Sequence, residues 1–439
     1  MLAIAAEPRR NSIALAGYAQ NTAAGLLGTP HEFRVVKIRS KGTIAWKYDL
    51  NDPFPHDNNA ALAVTVDVSG DFFAAGRTCS TSLASCFTVV RVGRNGKEVW
   101  RTIIPGLAPG MDEARTIIRD PQDGNVIVAG RVRIPAGTAF AVFKLDANTG
   151  MVLWPASVAD FPLGTANALT LTSRNTVAVA GIVQGSFAVL EFDTNTGTLV
   201  SRGVHPGAGE ARSIAFDGHE GTMVAGGLIR PTAFGFLVAV AKFDSKGTAL
   251  WSENIGPANF GNSAGATVAV HQETGAIAVS GTLMGPSGGL FTTMLLHPDG
   301  TEKWRSDDIP GAANSVAFAA KNVVAVGQFP DGNTTVFAVI AFAEDGTEEW
   351  RRTFRGTADF GSNSANAFAV AEKKGAVFVA GVITDNPIGP DMFAVGLGVD
   401  GNDLSGFPGA HTMATPSPRR AFMKPSAVDL GLKDAGDLP

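Results

Sequence analysis

All six tryptophans of this 439-residue chain stand four residues after a glycine. Trp46, Trp100, Trp154, Trp251, Trp304 and Trp350 follow Gly42, Gly96, Gly150, Gly247, Gly300 and Gly346. Gly197 and Gly401 hold the same place but are followed by Ser201 and Ser405. A second glycine series closes short apolar runs at Gly17, Gly76, Gly130, Gly181, Gly226, Gly281, Gly327 and Gly381, alternating one for one with the first. The chain is therefore an eightfold sequence repeat with spacings of 45 to 59 residues. A large aromatic at one fixed position marks a unit that buries its face against the next copy rather than alone.

Each repeat carries four strand signals. In the second they fall at 62–67, 71–76, 87–93 and near Trp100, with a loop between the second and third. In FTVVRV, Phe87, Val89 and Arg91 alternate with Thr88, Val90 and Val92, so both faces are mainly apolar, as expected of a strand largely buried on both. Asn95-Gly96, Asp299-Gly300, Asp345-Gly346 and Asp400-Gly401 are hairpin turns, because Gly supplies the positive φ such turns demand. No segment has the period of a long amphipathic helix. Four antiparallel strands per unit describe a blade, so the expected fold is all-β, an eight-bladed β-propeller, with seven blades as the alternative.

The register sets expected boundaries. One domain covers 1–410, with blades at about 1–56, 57–109, 110–163, 164–207, 208–260, 261–311, 312–361 and 362–410. Residues 2–7 align with 62–67, so the register opens on a first strand and a leader is expected to lie outside this chain. Residues 411–439, with Pro416, Pro418 and Pro425, read as a tail. Ring closure is expected from face packing of the first blade on the last.

Composition narrows the function. With 35 Lys and Arg against 40 Asp and Glu, the net charge is −5, and nothing supplies the basic surface a nucleic acid requires. The most apolar stretch, 277–296, is broken by Gly285, Pro286, Gly288 and Gly289, so no membrane-spanning helix is expected. The 52 glycines serve mainly as turn punctuation. Cys79 and Cys86 enclose six residues between two apolar segments, a spacing that fits a disulfide across a hairpin or two small buried thiols. The disulfide reading implies an oxidising, periplasmic or extracellular location.

The segment LDANTGMVLW, 145–154, resembles the tryptophan-docking motif of the quinoprotein family, eight-bladed propellers related to pyrroloquinoline quinone dehydrogenases. Asp146, Thr149, Gly150 and Trp154 match Asp-x-x-Thr-Gly-x-x-x-Trp, while SKGTALW and EDGTEEW keep the Gly and Trp. The stretch 356–381 is also similar to short bacterial propeller repeats of secreted proteins. The resemblance spans nearly the whole chain and implies fold, since such propellers include dehydrogenases, assembly scaffolds and many non-enzymes. In the family the quinone lies between a Trp floor and adjacent cysteines, beside calcium. Here all six Trp hold docking positions and the cysteines are seven apart, so no cofactor is expected.

Other motifs reduce to structure. GLGVDG (396–401) lies on a strand and its turn with no helix to receive a pyrophosphate. Gly-x-Ser-x-Gly at 261–265 and 285–289 lacks the strand-to-helix elbow of a nucleophile. The seven histidines lack metal-ligand spacing and read as surface residues. With only Tyr18 and Tyr48 left as aromatic platforms beside the core phenylalanines, a lectin is disfavoured. The candidate contacts are the residues just before each first strand, at the mouth of a central channel: Asn59, Arg115, Asn167, Arg212, Asn262, Asn314 and Asn366. Such groups suit a small polar or anionic ligand or a peptide. The expected function is a non-catalytic binding or assembly scaffold with a protein partner on its loop faces. The alternatives are an enzyme at the channel mouth, either a degenerate quinoprotein or a hydrolase or lyase, and a structural module of a larger surface protein.

Overall fold

The computed structural model describes residues 3–7, 12–20, 31–40, 42–50, 59–81, 84–156, 161–232, 235–256, 263–356, 363–371, 376–385 and 389–404. Among them every regular element is a strand, and the strands pair antiparallel in chain order. Four-stranded sheets cover 3–50, 60–104, 113–155, 264–310 and 312–354; a sheet of seven runs from 165 to 255, and one of three from 364 to 397. The fourth strand expected near Ser405 and the tail 411–439 lie outside the described residues.

The second repeat shows how the sequence builds a sheet. Its strands are Ala60–Val66, Phe72–Thr81, Ala84–Val92 and Glu98–Ile104. Phe87, Val89, Val90 and Val92 are all buried, because the third strand is covered on both faces by neighbouring sheets. The central hairpin is longer than the expected strands at 71–76 and 87–93. Residues 77–81 and 84–86, expected in a loop, continue the pairing, since Thr, Ser and Cys fit a pleated strand. Thr78 and Thr88 join hydroxyls at 2.8 Å within it. This register sets Cys86 opposite Thr78 and Cys79 opposite Ser85. The cysteine positions thus fall on alternate faces rather than facing each other, and Cys86 is a buried free thiol. The Cys79 side chain lies outside the described residues.

The expected boundary at 207/208 falls inside a strand. Leu199–Asp217 is one 19-residue strand, pairing with Ser186–Asp193 over its first half and with Thr222–Thr232 over its second. The fourth and fifth repeats are joined with no loop, and Gly207 between the two halves has φ 99°.

Apolar residues fill the space between successive sheets. Phe87 and Val89 meet Val128 and Phe143, and each later sheet shares a similar cluster with the next. Ile13, Leu15, Val36 and Ile38 of the first sheet pack on both Phe378 and Ala380 of the last. The first strand of each repeat touches the first strand of the next, including Ala3–Ala6 with Ser364–Ala371, so these strands form the inner wall.

The six indoles tie neighbouring repeats together. Each Nε1 donates to a carbonyl in the next repeat's turn: Trp46 to Arg94 at 2.9 Å, Trp100 to Ala147 at 2.8 Å, and Trp154 to Thr194 at 2.9 Å. Trp251 reaches Pro298 at 3.0 Å, Trp304 reaches Glu344 at 3.0 Å, and Trp350 reaches Val399 at 2.7 Å. The ring then lies over the turn glycine. At Gly150, with φ 75°, a Cβ would stand 2.7 Å from the Trp100 ring, so both conformation and contact require glycine.

Candidate functional site

The inner strands carry a repeated irregularity. Beside Ala129 and Gly130 the strand Glu113–Arg119 slips register, leaving Arg115 as an extra, unpaired residue. Asn167, Arg212, Asn314 and Asn366 occupy the same bulge in their repeats. A bulge re-aims its side chain, and the bulged backbone crowds the partner strand. A Cβ on Gly130 would lie 2.0 Å from the Glu113 carbonyl oxygen, and the same contact at 2.0 Å recurs at Gly76, Gly181 and Gly327, which explains the glycine closing these apolar runs. In the fifth repeat this role falls to Gly227 rather than the expected Gly226, with the Glu210 carbonyl at 2.0 Å.

Two of the seven expected mouth residues do not belong to this set. Asn59 is buried ahead of the inner strand, and the second repeat's bulge residue is Leu62. Asn262 lies outside the described residues, and Gly265 is the bulge residue of its repeat. Asn366 holds the bulge position, but its side chain also lies outside the described residues.

Arg115, Asn167 and Arg212 instead meet residues the repeat alignment did not single out. Glu113, only 3 % exposed at its side chain, is ringed by three guanidiniums. Arg77 donates to its Oε2 at 2.6 Å and Arg115 to its Oε1 at 2.5 Å, while Arg131 lies 3.2 Å from Oε1. Arg115 also donates to Asn167 Oδ1 at 2.6 Å. Asn167 Nδ2 passes the connection on to Glu210 Oε1 at 3.1 Å and the Ala211 carbonyl at 2.8 Å, and Arg212 donates to Glu210 Oε2 at 3.1 Å. The result is a continuous arc along the inner wall, Arg77, Glu113, Arg115, Asn167, Glu210 and Arg212, crossing successive sheets.

Burial works to raise the Glu113 pKa, but the charges of Arg115 and Arg131, with hydrogen bonds from Arg115 and Arg77, outweigh it and hold the carboxyl below its ordinary value. Neighbouring Asp112 moves the other way: burial raises it, against the backbone N–H groups of Arg133 and Gly106 that it accepts. Two adjacent carboxylates thus differ in character because one has guanidinium partners and the other mainly amides.

Among the described residues no three His, Cys, Asp or Glu side chains gather as metal ligands, and no helix is long and apolar enough to cross a membrane. The residues present do not fit a quinone cofactor, because all six indoles are held in contacts between repeats and the two cysteine positions are not vicinal. His205, expected at the surface, is buried against Phe187 in the long strand. An open groove of about 680 Å³ lies away from the arc beside Trp251, lined by Glu220, Lys242 and His297, and its Lys242 is already paired with Glu220.

No protein-family model matches the sequence, and no curated protein matches it. Among solved structures the chain is similar to the Dos1 propeller, 12% identical over 86% of this chain and 88% of that one, with a TM-score of 0.54. The fold is a β-propeller. The propeller is also similar to Chaetomium thermophilum Sqt1 bound to the N-terminus of the ribosomal protein L10, 13% identical over 87% of this chain and 93% of that one, with a TM-score of 0.52. At these identities the likeness concerns fold.

Proposed function

We propose that this chain is a non-catalytic, eight-bladed propeller that serves as a binding or assembly scaffold for a protein partner. The observation that carries this reading is the inner-wall arc, where partly exposed arginines present donors at one mouth of the ring. The blade count is supported by the eight interleaved glycine pairs and by packing of the first sheet on the last. A protein partner is supported by the similar propeller whose structure holds the N-terminus of a ribosomal protein. Export is the part of the reading that rests on sequence, through the resemblance to secreted repeats, and fractionation of the source cells tests it. The scaffold itself is tested by reciprocal tagging. A polypeptide that retains the chain from either end, in fixed stoichiometry, supports it; turnover of a small molecule by the purified chain, with no polypeptide retained, overturns it.

A further inference from the structure

We infer that the arginine arc receives an acidic peptide segment, whose carboxylates take the donors that Glu113 and Glu210 leave unused. This inference rests on the scaffold reading and names the chemistry of its partner.

Four guanidiniums, Arg77, Arg115, Arg131 and Arg212, meet two carboxylates, Glu113 and Glu210. Each guanidinium offers five N–H donors in a planar fork; among the described residues Arg212 places one on Glu210, and Arg115 places one on Glu113 and one on Asn167. Arg131 is already committed, its buried Nε lying 3.2 Å from Glu113 Oε1. The other guanidiniums are reachable: Arg115 is 30 % and Arg212 40 % exposed at the side chain.

The setting selects the ligand. The chain carries a net −5, so a cationic arc is a local exception that attracts anions against an acidic background. The mouth is not basic all round, because Leu62, Gly265 and Asn314 hold the corresponding bulges elsewhere. A short cationic arc bordered by neutral positions matches a few carboxylates on an extended segment, whereas a polyphosphate backbone needs a longer basic track. Arg forks match carboxylates two bonds at a time, which gives orientation as well as attraction.

The test uses the full chain and a fluorescein-labelled hexaglutamate peptide, read by fluorescence anisotropy, with hexalysine and a single-stranded oligonucleotide as rival probes. Hexaglutamate is expected to bind and hexalysine not. Arg212→Gln is expected to weaken binding about tenfold, the loss of one charge-assisted contact. Glu210→Gln is expected to tighten it, because removing the internal competitor frees Arg212. Structural damage would weaken both variants, so the opposite signs separate a binding role from a folding one. Failure of hexaglutamate to bind, equal behaviour of the two variants, or tighter binding of the oligonucleotide overturns the inference. A polypeptide partner retained by reciprocal tagging but indifferent to Arg212→Gln leaves the scaffold standing and overturns the acidic segment. Hexaglutamate binding with no polypeptide partner overturns the scaffold and leaves the anion affinity of the arc.

Discussion

Lys144 and Trp154 donate to the same acceptor, the Thr194 carbonyl, each at 2.9 Å. The two face each other across adjacent strands, and their shared target lies in the next repeat. The arrangement recurs: Arg91 and Trp100 meet on Ala147 at 2.8 Å each, and Lys242 and Trp251 on Pro298 at 3.1 and 3.0 Å. A carbonyl has two lone pairs, so both donors are satisfied together. Behind each cation stands an acid from the first turn of its own repeat, Asp71, Asp120 or Asp217. Acid, cation and indole grip the neighbouring repeat as one unit.

Trp154→Ala is expected to lose about 3–5 kcal/mol, the range for a large aromatic removed from a core. Lys144→Met strands the buried Asp120 carboxylate and is expected to lose about as much. Because the two side chains share an acceptor, the double variant should lose less than the sum of the singles. Urea denaturation of the four proteins measures the coupling, and strict additivity would refute the shared grip.

The fourth repeat inverts the unit. Glu191, fully buried, stands where the first, second, third and fifth repeats place Lys37, Arg91, Lys144 and Lys242 and the sixth and seventh place Leu295 and Ala341, and Ser201 replaces the tryptophan. Glu191 accepts from Arg174 at 2.9 Å, from Ser201 at 3.0 Å and from Thr176. Instead of an indole, the strand backbone itself reaches the turn, with the Arg202 carbonyl carbon 2.5 Å from where a Cβ on Gly247 would stand. Ser201→Trp is therefore expected to destabilise by about 1–3 kcal/mol through overpacking, although it restores the repeat consensus. A melting temperature at or above wild type would show that the site has room for the ring.

Gly130→Ala isolates the bulge. Its backbone is not in the left-handed region, so the penalty is steric: the new Cβ would stand 2.0 Å from the Glu113 carbonyl oxygen and 3.0 Å from Ala114 Cα. The strand must shift, at about 1–3 kcal/mol, and Glu113 and Arg115 shift with it. A lowered melting point together with weaker hexaglutamate binding is the expected pair of results; unchanged stability would mean the bulge relaxes freely.

The Gly and Trp series reveal the repeat because blade packing fixes those positions in every copy. The bulge is less visible, since one inserted residue leaves the apolar pattern on either side intact, and counting back from the inner strand does not find it at Leu62 or Gly265. Glu113, Arg77 and Arg131 escaped because their meeting depends on register between strands and between repeats. A sequence trace of them exists: Glu-Ala-Arg stands at 113–115 and again at 210–212, at the same place in two repeats. The long strand Leu199–Asp217 is not legible because HPGAGE (205–210) carries Pro and Gly; His205, Pro206 and Gly207 fall between the two registers, and Ala208 pairs on both sides.

Glu113 gives the chain a defined acid sensitivity. Its folded carboxyl lies below the ordinary value, after Arg115 and Arg131 overcome the effect of burial. As pH falls through the ordinary Glu range, near about 4.3, the unfolded chain takes up a proton that the folded chain refuses, so stability is lost; above that range the contribution is fully present. Glu113→Gln is expected to be less stable than wild type at about pH 6, by about 3 kcal/mol, because three arginines lose their buried counter-charge. It should also lose less on going to about pH 3.5, since this proton uptake is gone. Urea midpoints at the two pH values measure both effects. A gap between the proteins that stays constant or widens in acid would mean that Glu113 is not held ionised by its arginines.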